Sequence, residues 1–365
     1  MGNKNISYVI ILIILALLFG SCSNDNEPAP QVDRISVGTM NVDGLPVSVP
    51  LGWLGQMVKK ILPDVLPVPI DADGNLVVNA GGPGENGSKL IGQKIKAKGW
   101  DVFGLNEDFN YHNEIWSSLD GYSQGKYLGK FDASQIEEVI GKVLLKQPLF
   151  EIDGLEFGAK TKYQVSDETI RRWVPEAIFG YFTDWQDSLT TKGFRYYQVK
   201  LDEQASVDFI ILHADAGNSE GAVQAREAAF NQMYEFIVNE IKTNNPLIVM
   251  GDFNSLYVRD RMEELFLKRL NDSGIFDAHD VWVEYYNNGV FPEYKNTHDD
   301  DSHLPVTKDS EMIDKIVYAN RKNNANITLK LESVANVLDF VYDDDKTKQL
   351  ADHYPMEASF LINRK

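Results

Sequence analysis

The sequence contains a single cysteine, Cys22, among 365 residues. An internal disulfide is therefore excluded, and so is a structural zinc site built from several thiolates. Basic residues are also scarce, because 35 Lys and Arg stand against 54 Asp and Glu, giving a formal net charge of -19. Such a chain attracts a phosphate polymer poorly at long range, which disfavours nucleic acid as a partner without excluding it. The candidates for a local basic patch are Arg171, Arg172, Lys192 and Arg195.

The apolar run near the N-terminus, residues 8–19, is too short to cross a bilayer comfortably. It follows Lys4 and ends in small residues, which predicts a secretory signal over residues 1–21. The segment before Cys22 is similar to a bacterial lipoprotein signal, in which the cysteine is lipidated and becomes the mature N-terminus. We therefore expect an extracytoplasmic protein, periplasmic or on the cell surface, with a membrane anchor at Cys22. An ordinary signal peptide with an incidental cysteine is the alternative.

Residues 22–33 are polar and proline-containing, and we expect them to form a tether. The remainder, residues 34–365, is predicted to form one domain, since 43% hydrophobic content suffices for a large core without disulfides. Two intervals are predicted to be insertions, at about 46–86 and 134–185. The first contains the strongly apolar stretch 47–70, which either packs on the domain's own surface or forms an apolar rim that meets a lipid. We expect a monomer.

Short apolar runs predict strands at residues 35–40, 102–105, 207–212, 247–250, 313–318 and 357–362. Helical periodicity predicts helices at residues 219–242 and 261–270. This alternation favours an α/β or layered α+β domain. Polar residues follow several of the strands, where they can converge on one crevice. They are Asn41, Glu107, His213, Asp252 and Asn254, while Asp352 and His353 lie just before the last predicted strand.

Other motifs are weaker. Residues 71–75 look like a calcium loop but lack its later ligands, so we predict a turn. Ser88 follows a glycine-rich loop and is predicted to cap a helix. The polar run 298–303 could hold a metal but is more typical of a solvated loop. His112 and His279 are single histidines with no predicted partner.

Six short motifs resemble the endonuclease/exonuclease/phosphatase superfamily and occur in that family's order. They are Thr39-Met40-Asn41-Val42-Asp43-Gly44-Leu45, Leu105-Asn106-Glu107, Leu212-His213-Ala214-Asp215, Gly251-Asp252-Phe253-Asn254, Ile313-Asp314-Lys315-Ile316-Val317-Tyr318 and Ala351-Asp352-His353-Tyr354-Pro355. Asn106 stands where many members have glutamine, and Ala351 stands where serine is usual. Asn106 favours the bacterial neutral sphingomyelinase-like branch. The resemblance implies a four-layered DNase I-like sandwich, with two mixed β-sheets packed face to face and helices outside.

The resemblance also implies residue roles. Glu107 would be the direct metal ligand, Asn41 a neutral ligand or a phosphate donor, and Asp43 and Asp352 outer partners of the metal. His353 would deprotonate the attacking water, with its ring fixed by Asp314. The remaining roles fall to three residues: Asp252 holds the water or a second metal, Asn254 donates to a phosphate oxygen, and His213 binds the phosphate or protonates the leaving group.

These roles describe a metal-dependent hydrolase of phosphate esters. Mg²⁺ is the expected ion, with Mn²⁺ or Ca²⁺ as alternatives, because the donors are hard oxygens and no thiolate favours zinc. A phosphodiesterase acting on a phospholipid or sphingolipid head group is our leading hypothesis. The alternatives are an extracytoplasmic nuclease, a sugar or inositol phosphate phosphatase, and a non-catalytic surface binding lipoprotein.

Overall fold

The computed structural model describes residues 31–46, 48–50, 71–77, 81–130, 152–166, 168–174, 190–292 and 312–364. Val32–Lys365 forms one compact unit. The predicted signal, the lipidation site Cys22, the apolar residues 51–70 and the polar run 298–303 lie outside the described residues. No helix in the described part of the chain is both long and apolar enough to span a membrane.

The described residues form fifteen strands. In chain order these are β1 (Arg34–Asn41), β2 (Ser48–Pro50), β3 (Asn75–Val77), β4 (Val102–Asn106), β5 (Tyr122–Gln124), β6 (Glu156–Lys160), β7 (Gln164–Val165), β8 (Thr169–Arg172), β9 (Gly193–Lys200), β10 (Ser206–His213), β11 (Leu247–Asp252), β12 (Phe276–Asp280), β13 (Asp314–Arg321), β14 (Ile327–Asn336) and β15 (Met356–Arg364). The helices are α1 (Gly84–Lys98), α2 (His112–Trp116), α3 (Glu220–Asn239), α4 (Tyr257–Asp260), a π-helical segment (Glu263–Lys268), α5 (Arg269–Asp272) and α6 (Val281–Asn287).

Most strands belong to two mixed sheets. Sheet A has the order β14-β15-β1-β4-β6-β5, and sheet B has the order β12-β13-β11-β10-β9-β7, with β8 also paired to β9. Each sheet has one central parallel pair, β1 with β4 and β10 with β11. The register places Asn41 beside Asn106 in sheet A and His213 beside Asp252 in sheet B. Polar residues that follow these apolar strands are thereby brought to one edge of the molecule.

Three apolar clusters build the layers. The first lies between the sheets and includes Val37, Phe157, Phe209, Ile316 and Phe360. The second packs α3 on the outer face of sheet B, and the third packs α1 on the outer face of sheet A. This arrangement of helix, sheet, sheet and helix confirms the predicted four-layered fold. Burial of apolar surface in all three clusters is the main favourable term in its stability.

The predicted strands are all present, each within a few residues of its expected bounds. The helix predicted at 219–242 is α3, and Ser219 caps it by accepting a hydrogen bond from the Ala222 N–H at 3.1 Å. The helix predicted at 261–270 is instead a π-helical segment followed by α5. The interval predicted as a second insertion contains β6, β7 and β8, which pair within the two sheets.

Two local predictions have different outcomes. Residues 71–75 form a turn as expected, because Asp71 Oδ1 accepts hydrogen bonds from the backbone N–H groups of Asp73 and Asn75. Ser88 does not cap a helix, since α1 begins at Gly84 and Ser88 is buried within it.

Candidate active site

A cavity of about 540 Å³ opens where the carboxyl ends of β1, β4, β10 and β11 meet. Its lining includes all but one of the predicted site residues of the domain: Asn41, Asp43, Glu107, His213, Asp252, Asn254, Asp352 and His353. The remaining one, Asp314, lies directly behind His353. The structure therefore brings together residues that are more than 300 positions apart in the sequence.

The sheet A side of the cavity is organised by Asn41. Its side-chain amide donates to Glu107 Oε1 at 2.9 Å and to Asp252 Oδ2 at 3.2 Å, while its Oδ1 accepts from the Asp43 N–H at 3.0 Å. Burial and the charge of Asp352 raise the pKa of Glu107 above its ordinary value. Asn41 therefore links the acidic groups of the two sheets.

The backbone of this site is conformationally unusual. Three non-glycine residues that line the cavity have positive φ: Asp43 at 50°, Glu107 at 59° and Asn254 at 48°. The left-handed region is uncommon for residues other than glycine and is found often at functional positions. The turn at Glu107 follows the end of β4 and directs two consecutive carboxylates into different environments. Glu107 lines the cavity, whereas Asp108 pairs with His112.

The two sheets are joined beneath the cavity by Asn106. Its Nδ2 donates to the Leu212 carbonyl at 2.6 Å, and its Oδ1 accepts from the Asp252 N–H at 3.1 Å. Asn106 is almost fully buried. A buried amide whose two ends are both satisfied by the opposite sheet fixes the separation of the strands that carry Glu107 and Asp252.

Asp252 and Asn254 form one unit after β11. Asp252 Oδ1 accepts from the Asn254 N–H at 2.8 Å, and the Asn254 side-chain amide donates to the Ala214 carbonyl at 3.2 Å. Burial, together with the nearby Asp314 carboxylate, raises the pKa of Asp252 to about 7. Gly251, just before Asp252, has φ 143° and lies so close to β10 that a Cβ would stand 2.1 Å from the Leu212 oxygen.

His353 and Asp314 form a buried pair. His353 Nδ1 lies 2.5 Å from Asp314 Oδ2, and the other ring nitrogen, Nε2, lies 3.9 Å from Asp352 Oδ1. Burial alone would lower the pKa of His353, but the charge and hydrogen bond of Asp314 outweigh it and raise that pKa well above its usual value. Asp314 therefore favours the charged form of the ring, whose Nε2 lies on the side of the cavity.

The pKa of His213 shifts in the opposite direction from that of His353. Its ring is 2% exposed, and burial, reinforced by the positive charge of Lys192, lowers its pKa well below the usual value. Its Nε2 lies 3.5 Å from Asp252 Oδ2 and 3.9 Å from Glu107 Oε1. Trp173 donates to the His213 carbonyl at 2.8 Å and so fixes this end of β10. His213 is a neutral polar group at the base of the cavity.

Several known proteins are similar to this chain, although no protein-family model matches it. Sphingomyelinases of Mycobacterium bovis and Mycobacterium tuberculosis are each 28% identical to it over 172 residues, which is 47% of this chain and 31% of theirs. The similar region thus spans about a third of the length of those relatives.

Three solved structures are similar across most of the chain. The human Nocturnin catalytic domain with bound sulfate has a TM-score of 0.52 at 16% identity, covering 91% of this chain and 94% of that domain. An endonuclease/exonuclease/phosphatase family protein from Bacteroides thetaiotaomicron has a TM-score of 0.50 at 14% identity, covering 90% and 94%. A humanized D. rerio TDP2 also has a TM-score of 0.50, at 11% identity, covering 90% and 98%.

The chain has the endonuclease/exonuclease/phosphatase fold. The fold implied by the six motifs is therefore confirmed, and part of the chain is similar to sphingomyelinases, the branch that Asn106 favoured. In this fold the motifs recognised in the sequence all reach one cavity. Their individual roles stay predictions.

Two basic residues at the cavity of this endonuclease/exonuclease/phosphatase fold were not predicted as site residues. Lys192 is buried there and donates to the Ala214 carbonyl at 3.1 Å, and Arg259 donates to the Asn254 carbonyl at 2.6 Å. The sequence suggests Lys192 only as part of a surface basic patch with Arg195. Arg195 is fully buried and paired with Asp153, so it does not contribute to such a surface patch.

Proposed function

We propose that this protein hydrolyses phosphate esters and requires a divalent cation. The observation that carries the proposal is that the Asp314–His353 pair, Asp252 and Glu107 meet at one cavity. A non-catalytic binding protein has no need for a buried histidine–aspartate pair beside further carboxylates of raised pKa. The fold and the partial match to sphingomyelinases support the same conclusion.

The acidic groups at the cavity fit a hard cation. Glu107, Asp252, Asp314 and Asp352 bring four carboxylates into one region, and the raised pKa values of Glu107 and Asp252 reflect burial and mutual repulsion that a cation would relieve. Glu107 and Asn41 would hold the ion, with Asp43 and Asp352 further out. A bound ion would stabilise charge on the phosphate and on the leaving oxygen. Oxygen donors favour Mg²⁺, with Mn²⁺ or Ca²⁺ as alternatives.

We infer the proton transfers from the pKa directions of Asp252 and His353. In the metal-free protein the raised pKa of Asp252, about 7, makes this carboxylate a candidate proton acceptor, while Asp314 favours the charged form of the His353 ring. His353 would instead donate from Nε2 to a non-bridging phosphate oxygen. This differs from the family-based prediction, in which His353 deprotonates the water. The difference arises because Asp314 keeps its partner charged.

The remaining residues act as donors. Because His213 is neutral, it binds a phosphate oxygen without supplying a proton to the leaving group. Asn254 is held by its backbone contacts and would donate to the phosphate as charge develops. In the proposed step the water oxygen forms a bond to phosphorus, the ester P–O bond breaks, and one water proton passes to Asp252. The released oxygen takes a proton from solvent.

For the substrate we propose a phospholipid or sphingolipid phosphodiester. This choice is supported by the local match to sphingomyelinases, by the net charge of -19 and by the predicted membrane tether. The test measures phosphocholine release from detergent-dispersed sphingomyelin with Mg²⁺, beside nicking of supercoiled DNA. Asp252→Asn serves as the inactive control. Nicking of DNA without phosphocholine release would refute the lipid preference, and hydrolysis of bis-p-nitrophenyl phosphate unchanged by Asp252→Asn would refute the site.

We further propose that the protein is an extracytoplasmic lipoprotein, which rests on the sequence around Cys22. Wild type expressed in bacteria should partition into the detergent phase of Triton X-114, and Cys22→Ser should partition into the aqueous phase. Equal partitioning of the two proteins would show that Cys22 carries no lipid.

A further inference from the structure

Behind the cavity, a second group of metal-ligating side chains lies at the start of α2. We define it as the rear cluster: Asp108, His112 and Glu156. One ligand atom from each residue lies within 4.8 Å of the other two. His112 Nδ1 is 2.7 Å from Asp108 Oδ2 and 3.8 Å from Glu156 Oε2. None of these residues lines the candidate active site.

The rear cluster is enclosed. Asp108 is 2%, His112 5% and Glu156 0% exposed. The His112 ring stacks on Tyr127 with ring centroids 3.9 Å apart, which fixes its plane. Glu156 Oε1 accepts from the Phe157 N–H at 3.1 Å, but Glu156 Oε2 has no hydrogen-bond partner in the described part of the chain. A fully buried carboxylate oxygen that faces an imidazole nitrogen without a hydrogen bond calls for a ligand.

The charges around the rear cluster do not balance. The buried guanidinium of Arg195 makes two hydrogen bonds to Asp153, at 2.9 and 2.6 Å, and one to Glu168 at 3.1 Å. Its single positive charge is therefore already shared by two carboxylates. The charge of Arg195 also acts on Asp108 and Glu156, but burial outweighs it, so the pKa of each of these carboxyls stays raised. Burial, followed by the charge of Asp108, raises the pKa of Glu156 well above its ordinary value.

We propose that Asp108, His112 and Glu156 form a second metal site, separate from the candidate active site. Two ligand atoms at metal–ligand distances of about 2.1 Å lie roughly 3.4 Å apart at a tetrahedral angle, and the separations from His112 Nδ1 bracket that figure. One imidazole nitrogen and two carboxylates suit Zn²⁺ or Mn²⁺ better than Mg²⁺. The ion would replace the protons that these groups hold in the metal-free protein and would relieve the repulsion between the two carboxylates.

Such a site has a structural consequence. Asp108 follows Glu107 directly, and its N–H donates to the Gly154 carbonyl at 2.9 Å. A metal bridging Asp108 to Glu156 on β6 would secure the left-handed turn at Glu107 from behind. The proposed role is therefore to stabilise and position this turn, and it does not depend on the reaction proposed for the cavity.

The test weakens metal binding in the candidate active site and then counts the Zn²⁺ ions that the protein retains. In the full-length protein, the Glu107→Gln Asp252→Asn double variant is loaded with Zn²⁺, dialysed and analysed by mass spectrometry. We expect one retained equivalent. Adding His112→Asn or Glu156→Gln should abolish retention and the Zn²⁺-dependent rise in melting temperature. Adding His279→Asn, a change at a half-exposed histidine outside the cluster, should alter neither.

A double variant that retains no Zn²⁺, or a His112→Asn derivative that retains it fully, would overturn the proposal. If the added substitutions prevent folding, crystals of the double variant soaked in Mn²⁺ provide an independent measurement. An anomalous peak between Asp108, His112 and Glu156 is expected. Bound manganese elsewhere with no peak there would equally overturn the site.

Discussion

The side-chain oxygen of Asn106 on sheet A accepts a hydrogen bond from the backbone N–H of Asp252 on sheet B, at 3.1 Å. The same amide donates to the Leu212 carbonyl of sheet B at 2.6 Å. One buried residue thus sets the spacing between Glu107, its neighbour in sequence, and Asp252, its partner in space. Placement of the proposed metal ligand and of the proposed base depends on this link.

Asn106→Ala should reduce both stability and activity. The change leaves the Asp252 N–H and the Leu212 carbonyl unpaired in a buried region, at a cost of about 2–4 kcal/mol in the free energy of unfolding. Loss of the fixed distance between Glu107 and Asp252 should lower kcat/KM by a further factor of about 10 or more. Urea unfolding and hydrolysis of a generic phosphodiester measure the two effects.

Asn320 provides the matched control. It makes the same pair of hydrogen bonds, with the Leu329 N–H at 2.7 Å and the Leu329 carbonyl at 2.8 Å, but lies away from the cavity. Asn320→Ala should also destabilise the protein, though by less because Asn320 is only partly buried, while kcat/KM stays near the wild-type value. Equal loss of activity in the two variants would mean that Asn106 acts only through stability.

Gly251→Ala should destabilise the protein strongly. A Cβ at this position would stand 2.1 Å from the Leu212 oxygen, and φ of 143° is strained for any other residue. Because the close contact is with backbone, relief requires β10 and β11 to separate, and we expect a loss of about 3 kcal/mol or more. Gly221→Ala in the first turn of α3 is the control, since the nearest atom lies 3.8 Å away. A small effect of Gly251→Ala would contradict the close approach of β11 to the Leu212 backbone.

The central strands and the cavity residues could be predicted from the sequence, because apolar runs followed by polar residues identify both. β9 could not be predicted in this way, since Arg195 and Lys200 interrupt its apolar pattern, and the burial of Arg195 depends on Asp153 from a distant segment. The same limit applies to Lys192, whose position in the cavity is set by tertiary packing. Of the two acidic neighbours of His112, Asp108 lies only four positions earlier and was overlooked, whereas Glu156, 44 positions later, reaches it only through the pairing of β4 with β6.

Asp314→Asn should inactivate the protein by releasing His353. Without the carboxylate, burial dominates and the pKa of the His353 ring falls, so that its Nε2 no longer carries a full charge towards the phosphate. We expect kcat to drop by about 10²-fold or more. NMR titration of the ring should show the lowered pKa directly. A His353 pKa that is unchanged in Asp314→Asn would contradict the proposed pairing.

Arg259→Gln should weaken substrate binding more than it slows the reaction. The guanidinium lines the cavity, is partly exposed, and donates to the Asn254 carbonyl at 2.6 Å. Its loss removes a positive charge near the bound anion, so KM should rise several-fold with a smaller change in kcat. Arg261→Gln, two residues away and paired with the exposed Glu264, is the control and should leave KM unchanged. A fall in kcat at constant KM would show instead that Arg259 acts by positioning Asn254.

Asp252 should make the stability of the metal-free protein depend on pH. Its pKa rises from 3.8 to about 7 on folding, so between about pH 4 and 7 the folded state binds more protons at this group than the unfolded state does. The stabilising contribution of protonated Asp252 is therefore complete below about pH 4. It is lost as pH rises to about 7, which lowers the free energy of unfolding by a few kcal/mol.

Urea unfolding in chelator at a series of pH values measures this dependence, and the difference between wild type and Asp252→Asn isolates the group from the other buried carboxylates and histidines. The wild-type free energy of unfolding should fall relative to the variant as pH rises. Saturating Mg²⁺ should reverse the trend, because a cation in the cavity favours the ionised carboxylate and binds only the folded state. A wild-type curve parallel to that of Asp252→Asn would show that Asp252 is ionised throughout, and the proton acceptor would then have to be sought elsewhere in the cavity.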